Sequence, residues 1–598
     1  MAWYDEAVFY HIYPLGLAGA PKQNDYGEPV HRLNTLLPWV DHIKEICGSA
    51  LYIGPLFESV GHGYETTDYK KLDSRLGTNE DLTAFVAYCH EQGIKVIFDG
   101  VFNHTGRDFF AFKDIQANRE NSLYKDWYCN VNFWGNNEYN DGFSYDNWGG
   151  YNLLVKLNQK NPAVVDYICD VIRFWVSEFD VDGIRLDAAD VLDFDFMKAL
   201  RRTANEVKPD FWLMGEVIHG DYSRWVNGET LHSVTNYTLH KALYSGHNDH
   251  NYFEIAHTVR RLQNMGTLKL YNFVDNHDVE RIYTKLTNKA HFAPVHVLLY
   301  TLPGVPSIYY GSEFGIEGRK EYGSDDSLRP ALNIEDYKDS VKTNPCTALI
   351  VALGKVRQAV PALSYGSYAE LMLTNRQFAY ARDLDGTRVI VSVNNDDAPA
   401  GMHLAAGNCT AYIGALSGEK VSVQDGHINI TQPANSGEIW VPEGTDLNVK
   451  PVKAQGVNVE NTNSINTNIE ASSVDTEKAT DMVVEDTQSE PTKAEDTKAA
   501  APKAETAKTA SENTASETTA KESESESTPN ATASDDPADP ETITVDWSKS
   551  PESMTVPELQ AAVLAKLSGN GPVDAQMKKT VTDNIWHDSL VNWLKSFR

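Results

Sequence analysis

Short apolar runs alternate with longer amphipathic stretches throughout residues 1–360, and this alternation leaves few possible folds. The short runs are typical of buried strands, whereas Asp81–Gln92 and Val164–Phe179 carry apolar residues at helical spacing. Strands and helices that alternate in this way build a parallel sheet covered by helices. Eight such strands predict an α/β fold, a closed (β/α)₈ barrel. They are Val8–Tyr13, Ala50–Ile53, Lys95–Phe98, Gly183–Leu186, Trp212–Gly215, Ser233–Thr235, Leu270–Val274 and Val305–Tyr309.

One connection between these strands is far longer than the others. About 85 residues separate the strand that ends at Phe98 from the strand that begins at Gly183. Loops of such length are usually functional, and we predict an inserted subdomain at residues 105–155. Its aromatic residues either form its own core or present flat surfaces to a ligand, and the sequence leaves both interpretations open. They include Phe109, Phe110, Trp127, Tyr128, Phe133, Trp134, Tyr139, Phe143, Tyr145, Trp148 and Tyr151.

Beyond the predicted barrel, the pattern changes twice. Residues 361–445 contain short alternating runs such as Phe378–Arg382 and Arg388–Val393, which predict a small antiparallel β-domain. Residues 446–545 are rich in Thr, Ser, Ala, Glu and Lys. From residue 451 onwards this segment holds no aromatic residue, and it has 7 lysines against 20 acidic residues. It cannot bury enough apolar surface to offset its ordering entropy, so we predict a disordered acidic linker.

A helical pattern returns in residues 546–598. Thr555 and Glu558 form a capping box with a proline in the first turn, and apolar residues follow on one face. A second apolar stripe includes Trp586, Leu590 and Trp593. The segment is either a docking module for a protein partner or a helix pair that packs on the chain itself, and the sequence does not decide between them.

The charge and cysteine content exclude several classes of protein. The chain has 52 basic and 84 acidic side chains, a formal net charge of −32. Nucleic acids and anionic membranes need a basic surface, so we expect neither as a partner. Six scattered cysteines without a CxxC pair predict neither a disulfide scaffold nor a structural zinc site. The N-terminus shows no signal-peptide pattern, so we expect a cytoplasmic protein, although cell-surface and secreted locations stay open.

Acidic, basic and imidazole side chains follow four of the predicted strands. Active sites of (β/α)₈ barrels lie at the C-terminal ends of the strands, so these residues form the candidate site. A single acid at a strand end usually caps a helix or forms an ion pair, but four such ends together are difficult to explain in that way. The residues are Asp99, Asn103, His104, Arg185, Asp187, Glu216, His277 and Asp278.

The spacing of these residues predicts two carboxyl groups with opposite protonation. Arg185 and Asp187 are two apart on one strand and therefore point to the same face. The guanidinium of Arg185 would keep Asp187 ionised, as a nucleophile requires. Glu216 follows the apolar Trp212–Met214, which suits a carboxyl group with a raised pKa that donates a proton. Such a pair is typical of glycoside cleavage.

The same segments resemble the α-amylase family of glycoside hydrolases. Asp99-Gly-Val-Phe-Asn103-His104 resembles the DxVxNH motif, Gly183-Ile-Arg185-Leu-Asp187 the GxRxD motif and Phe273-Val-Asp-Asn276-His277-Asp278 the FxxNHD motif. The resemblance extends over residues 1 to about 445 in family order. Leu154-Val-Lys-Leu-Asn158 is similar to the MPKLN segment of the neopullulanase and cyclomaltodextrinase branch, with Val155 in place of proline. Because the given sequence begins at the first predicted barrel strand, we expect no N-terminal β-domain of the kind usual in that branch.

The resemblance implies a role for each residue. Asp187 would be the nucleophile, Glu216 the acid and base, and Asp278 the residue that stabilises the transition state. Tyr64 would stack on the sugar bound before the cleaved bond. The substrate-binding residues would be Tyr64, Asp99, His104, Arg185, His277 and Arg329.

We therefore expect a retaining hydrolase of α-1,4-glucosidic bonds in maltooligosaccharides, cyclodextrins or starch fragments. A transglycosylase or an α-1,6-active debranching enzyme would use the same three acids, and a non-catalytic glucan-binding protein is the alternative from another class. We expect no required cofactor. The family often binds calcium through a residue equivalent to Asn103 and through the position of Val191, but Val191 offers only a backbone carbonyl.

Overall fold

The structure is a computed structural model that describes residues 2–266, 269–447, 449–452, 549–550 and 554–568, with single residues at 545, 581, 590 and 594. It divides into two compact units, Met1–Val474 and Asp475–Arg598. Most of the predicted acidic linker therefore lies outside the described residues.

Eight parallel strands form the barrel that the sequence predicts. Their spatial order follows the chain from the first strand to the sixth, and the eighth strand pairs with both the first and the seventh. A single parallel bridge between Thr235 and Tyr271 joins the sixth strand to the seventh. The fold class is thus confirmed. The strands are Phe9–Ile12, Ala50–Ile53, Lys95–Gly100, Gly183–Leu186, Trp212–Gly215, Ser233–Val234, Tyr271–Asn272 and Val305–Tyr309.

Helices cover the outside of the barrel between most pairs of strands. Pro162–Phe179 shows how the sequence specifies them: the Asn161 side chain accepts from the N–H of Ala163, and a proline occupies the first turn. Its buried side chains recur three or four residues apart and face the strands. The longer helices are Leu37–Glu45, Asn79–Glu91, Pro162–Phe179, Phe194–Val207, Tyr237–Asn248, Tyr252–Asn264, Phe292–Thr301 and Pro345–Ala359.

The long connection after the third strand contains a helix, Phe110–Asn118, and a three-stranded sheet of His104–Thr105, Asn147–Trp148 and Tyr151–Lys156. Its aromatic residues divide between the two interpretations. Five of them are buried in the core, namely Phe109, Phe112, Tyr128, Phe143 and Tyr145. Four others are exposed, namely Phe110, Trp134, Tyr139 and Tyr151, and Trp134 is 98% exposed. That the exposed rings stack on sugars stays a prediction.

Antiparallel sheets follow the barrel, as the sequence predicts. The larger sheet holds six strands, Ser367–Leu373, Gln377–Leu384, Thr387–Asn394, Ser436–Pro442, Ala411–Gly414 and Lys420–Ser422. Ala400–Ala405 pairs with His427–Gln432 in a second sheet. The larger sheet shares one apolar core with the barrel helices, since Gly437 packs so closely on Val297 that a β-carbon would lie 2.9 Å from its side chain.

The second unit contains the helix Val556–Ser568. The Glu558 carboxylate accepts from the backbone N–H of Thr555 at 2.7 Å and from its hydroxyl at 2.9 Å, so this half of the predicted capping box forms. Leu559 and Val563 are buried beside Leu590 and Leu594. Trp586 and Trp593 lie outside the described residues, and a protein partner for this unit stays a prediction. None of the described helices is long and apolar enough to cross a membrane; the cytoplasmic location stays a prediction.

Candidate active site

The guanidinium of Arg185 is the centre of the candidate site. It lies at the end of the fourth barrel strand with its side chain 3% exposed. Its Nη1 is 2.8 Å from Oδ1 of Asp99 and 2.8 Å from Oδ1 of Asp187, and its Nη2 is 2.9 Å from Oε2 of Glu216. One cation therefore binds carboxylates from three neighbouring strands, the third, fourth and fifth.

Local backbone structure places Asp187 and Glu216 beside each other. The N–H of Asp187 donates to Gly100 of the third strand, and the N–H of Glu216 donates to Leu186 of the fourth. Ala188 has left-handed backbone angles, φ 46° and ψ 42°, which are costly for a residue with a β-carbon. In this conformation its N–H points at Glu216 and donates to Oε2 at 3.0 Å. The strain at Ala188 therefore fixes the position of the Glu216 carboxyl group.

Asp278 enters the site from the seventh strand and is held by several neighbours. Its Oδ1 accepts from Nη2 of Arg329 at 2.9 Å, and its Oδ2 lies 3.1 Å from Nε2 of His277. Lys320 donates to its backbone carbonyl at 2.9 Å. Its side chain is 33% exposed, so Asp278 is more open to solvent than Asp187 at 10%.

Contacts among several of the predicted residues, together with Asn276 and Tyr237, close into a ring. From Asp278, its N–H donates to Asn276, whose amide donates to the Tyr237 hydroxyl at 3.1 Å. Tyr237 donates to Oε1 of Glu216 at 3.4 Å, and Arg185 links Glu216 to Asp99. The remaining arc runs from Asp99 through the hydroxyl of Tyr64 and the imidazole of His277 back to Asp278.

Tyr64 reaches this ring from the loop after the second strand. Its hydroxyl donates to Oδ2 of Asp99 at 3.1 Å, and its ring lies nearly parallel to that of His277. Gly63 has a φ of +101°, and a β-carbon there would lie 2.2 Å from Pro55. Only glycine allows the loop to approach so closely and present Tyr64 to the site.

His104 and Asn103 lie deeper, at the start of the inserted segment. His104 is 1% exposed, and its Nε2 has no hydrogen-bond partner among the described residues. Asn103 accepts from Gln159 through its side chain and from the N–H of Leu157 through its carbonyl. Both oxygens thus face N–H donors, which does not suit a ligand of calcium, a cation that prefers carboxylate, carbonyl and water oxygens. In the described part of the chain, no group of three His, Cys, Asp or Glu side chains could hold a metal ion.

Comparison with known proteins agrees with this geometry. The sequence matches the family described as alpha amylase, catalytic domain, over residues 33–349, more than half of the chain. The chain belongs to the α-amylase family.

Relatives of this α-amylase-family chain lie in the branch that the motifs indicate. A cyclomaltodextrinase of a Bacillus species is 31% identical over 422 residues, which are 66% of this chain and 74% of the relative. Neopullulanase 2 of Thermoactinomyces vulgaris is 29% identical over 473 residues, 73% of this chain and 78% of the relative. The acarbose-soaked Nostoc punctiforme debranching enzyme superposes with a TM-score of 0.64 at 26% identity, covering 73% of this chain and 98% of that one. The protein is therefore a glycoside hydrolase, and the non-catalytic alternative is not kept.

The charge balance of this glycoside hydrolase differs from the sequence-based expectation. Three carboxyl groups share one guanidinium, so full ionisation would leave two excess negative charges in a buried site. Burial raises the pKa of Glu216, while Arg185 opposes this and Asp278 adds to it. Burial also raises the pKa of Asp187 against the opposing effect of Arg185. Arg185 therefore does not simply keep Asp187 ionised, as the sequence predicts, because the same guanidinium also contacts Asp99 and Glu216.

The sequence argument missed several residues that complete the site. Tyr237 follows the sixth strand and links Glu216 to Asn276, and Tyr52 donates to Oδ2 of Asp99 at 2.8 Å. Tyr13 lies under the guanidinium of Arg329, with 4.6 Å from the carbon to the ring centre. Tyr237 could have been found, because it stands two residues beyond the predicted sixth strand, the position from which the other strand ends contribute. The two tyrosines of the first and second strands had no such marker.

Proposed function

We propose that the protein hydrolyses α-1,4-glucosidic bonds of maltooligosaccharides, cyclodextrins or starch fragments and retains the anomeric configuration. The observation that carries the proposal is the contact of Asp187 and Glu216 with the two terminal nitrogens of one buried guanidinium, Arg185. Two carboxyl groups held this close, with Asp278 joined to them through Tyr237 and Asn276, suit a mechanism in which one acid attacks and the other transfers protons.

The first step needs an ionised Asp187: its contact with Arg185 favours the charged form, and protonation of Glu216 removes one of the charges that oppose it. An Oδ of this carboxylate attacks the anomeric carbon, and the bond from that carbon to the glycosidic oxygen breaks. The leaving oxygen takes the proton of Glu216, whose protonated form is favoured because burial raises its pKa. Positive charge develops on the sugar ring and is stabilised by the carboxylate of Asp278. The aglycone leaves with a new hydroxyl group, and the sugar stays on Asp187 as an ester.

In the second step, the carboxylate of Glu216 takes a proton from water while the water oxygen attacks the anomeric carbon. The ester bond to Asp187 breaks, and both carboxyl groups return to their starting protonation. Arg185 can stabilise the negative charge in both steps because it contacts both carboxyl groups, Asp187 and Glu216. Two inversions give net retention.

Substrate binding follows from the residues around the acids. Tyr64, whose hydroxyl donates to Asp99 beside the acids, would contribute its aromatic ring to sugar binding. The names of the relatives, cyclomaltodextrinase and neopullulanase 2, support α-glucans as the substrate class. We propose no cofactor, because every step uses side chains of this chain and Asn103 does not suit calcium.

Two variants and two substrates test the roles. Glu216→Gln should lower the cleavage of maltoheptaose by about 10²- to 10⁴-fold, because the glycosidic oxygen leaves unprotonated. With α-maltosyl fluoride the same variant should still release one equivalent of fluoride rapidly, since fluoride needs no proton to leave. Asp187→Asn should lose both reactions. Rapid cleavage of maltoheptaose by either variant would contradict the assignment.

The stereochemical claim needs its own measurement. Proton NMR of the first products from maltoheptaose should show the α-anomer of the new reducing end before mutarotation. A first-formed β-anomer would refute the attack by Asp187, whatever the effect of the substitutions.

Transfer or α-1,6 cleavage is the second candidate. Val191 and Ile218, which follow Asp187 and Glu216 by a few residues, are 39% and 40% exposed and give the site an apolar rim that a second sugar could occupy instead of water. The structural similarity to a debranching enzyme also supports this candidate. Chromatography decides: products longer than maltoheptaose indicate transfer, and panose cut to glucose and maltose indicates α-1,6 cleavage.

A further inference from the structure

Arg281 is a buried cation whose contacts are backbone carbonyls, a hydroxyl and aromatic rings. It is 0% exposed, and within the described part of the chain no carboxylate lies within 4.0 Å of its nitrogens. Its guanidinium lies over the rings of Tyr309 and Tyr310, at 4.7 and 5.3 Å from their centres. The buried carboxylate of Asp275 is joined to it only through the Ser312 hydroxyl, so Arg281 lacks a direct ion pair with any described residue. Burying a cation without such a pair is costly and needs a structural or functional reason.

The hydrogen bonds that Arg281 donates all cross from the loop after the seventh strand to the loop after the eighth. Nη1 donates to the carbonyl of Tyr310 at 2.8 Å and to the hydroxyl of Ser312 at 3.1 Å. Nη2 donates to the carbonyl of Leu328 at 3.1 Å, and the backbone N–H donates to Gly318. Arg281 therefore holds both ends of the segment 310–328 against the seventh-strand loop.

Arg329, the next residue after Leu328, makes the reverse connection. Its Nε donates to the carbonyl of His277 at 3.0 Å and its Nη2 to Oδ1 of Asp278 at 2.9 Å. The two arginines thus form a reciprocal clasp, each reaching from its own loop to the other. Arg329 donates to the carboxylate of Asp278, which faces the reacting sugar in the proposed mechanism. Arg281 binds the carbonyl of Leu328, the residue directly before Arg329.

We propose that Arg281 is a positioning residue that holds Asp278 in place through Leu328 and Arg329. The inference rests on the proposed function, since it assigns Asp278 to the transition state. Arg281 is fully buried and touches no substrate itself. Shortening its reach leaves the Leu328 carbonyl with the hydroxyl of Tyr309 as its remaining donor, at 2.9 Å. Arg329 can then shift, and Asp278 loses one of the contacts that fix its orientation.

A second buried arginine, Arg357, provides a control that distinguishes positioning of Asp278 from general structural support. Arg357 is 2% exposed and donates to the carbonyls of Tyr300 at 2.7 Å and Gly304 at 2.8 Å, again with no carboxylate within 4.0 Å among the described residues. Gly304 directly precedes the eighth strand, so Arg357 lies at the end of the barrel opposite to Asp278. Arg357→Lys is therefore a matched control that disturbs packing but not the clasp.

The test is a double-mutant cycle with maltoheptaose, using Arg281→Lys, Arg329→Met, the double variant and Arg357→Lys. Lysine keeps the charge of Arg281 but cannot reach all three acceptors. We expect Arg281→Lys to lower kcat by about 10- to 100-fold, the effect of a small displacement of a reacting group. KM should change little, because Asp278 acts chiefly in the transition state. In the Arg329→Met background the same change should cost almost nothing further.

Three results would overturn the proposal. Arg281→Lys could leave kcat unchanged, or it could cause the same fold-loss in the presence and absence of Arg329, as a general loss of folded enzyme would. A crystal structure of Arg281→Lys with Arg329 still 2.9 Å from Asp278 would also overturn it, and this result needs no substrate. Failure of the proposed function is seen separately, in wild-type protein that does not cleave maltoheptaose or in a fully active Glu216→Gln.

Discussion

Asp182 supports the barrel at the end opposite to the chemistry, and replacing it with asparagine gives a sharp test of this structure. Its side chain is 2% exposed and accepts from Nε2 of His90 at 2.7 Å, Nζ of Lys95 at 2.9 Å and the N–H of Val96 at 2.9 Å. Lys208 lies 2.9 Å away. The carboxylate thus joins the third and fourth strands to two surface helices. Asp182→Asn keeps one acceptor oxygen and places an NH₂ group against these donors.

The expected loss is about 3 kcal/mol, the lower end of the range for removing one partner of a buried ion pair. The lower end applies because Lys95 is 41% exposed and can turn its charge to water. Asp180 provides the control. It also contacts Lys208, at 2.7 Å, and His90, at 3.3 Å, but its side chain is 67% exposed. Asp180→Asn should therefore cost less than about 1 kcal/mol, and asparagine tolerates its left-handed backbone.

The effect of Asp182→Asn should depend on pH with a defined sign. Burial alone would raise the pKa of Asp182, but the hydrogen bonds from His90, Val96, Lys95 and Lys208 outweigh it and lower the pKa below its usual value. A lowered pKa contributes stability that is complete above the unfolded pKa, about 3.9 for Asp, and is lost as the pH falls through the folded pKa. The difference between wild type and variant should thus be full at pH 7 and shrink below pH 4.

Urea unfolding followed by tryptophan fluorescence measures this difference, and maltoheptaose cleavage checks that the active site is intact. Asp182→Asn should unfold at a clearly lower urea concentration than Asp180→Asn while keeping the wild-type kcat. Equal midpoints for the two variants would refute the assignment of stability to the buried carboxylate. A gap that widens as the pH falls would refute the sign of the linkage.

Three further outcomes follow from the structure. Tyr237→Phe should lower kcat by less than about tenfold, because its hydroxyl makes only a long, 3.4 Å hydrogen bond to Glu216, and steady-state kinetics measures this. Treatment with EDTA should leave maltoheptaose cleavage unchanged, since Asn103 faces N–H donors; a loss that calcium restores would contradict this. Truncation after Lys450 should leave kcat on soluble substrate nearly unchanged, because the composition changes there, and a large loss would place the tail in the active unit.

The barrel strands could be predicted because each is a short apolar run beside a charged or glycine-rich boundary. Predicted and observed bounds agree within two residues; Leu270–Val274, for instance, is longer than the observed Tyr271–Asn272. The sequence pattern marks where apolar residues are buried. The observed seventh strand is shorter than its apolar run, because a strand extends only as far as its backbone hydrogen-bonds to a neighbouring strand. The sequence pattern of one strand does not contain that neighbour.

The acids of the site could also be predicted, because residues that end neighbouring parallel strands must meet at one rim. The residues that hold them could not. Arg281 and Tyr237 act through contacts between loops, such as Arg281 with Leu328, whose partners are separated by tens of residues. No local spacing brings such pairs together, so only the folded chain shows that Asp278 is held from two loops at once.

The fourth strand shows how one fold separates stability from reactivity. Asp182 precedes Gly183–Leu186 and Asp187 follows it, yet their surroundings are opposite. Asp182 faces an imidazole, two ammonium groups and a backbone N–H, so its charge is fully compensated and its pKa falls. Asp187 competes with Asp99 and Glu216 for one guanidinium, so its pKa rises with burial. In the proposed mechanism, this lack of compensating positive charge around Asp187 and Glu216 favours a protonated Glu216 that can donate to the substrate.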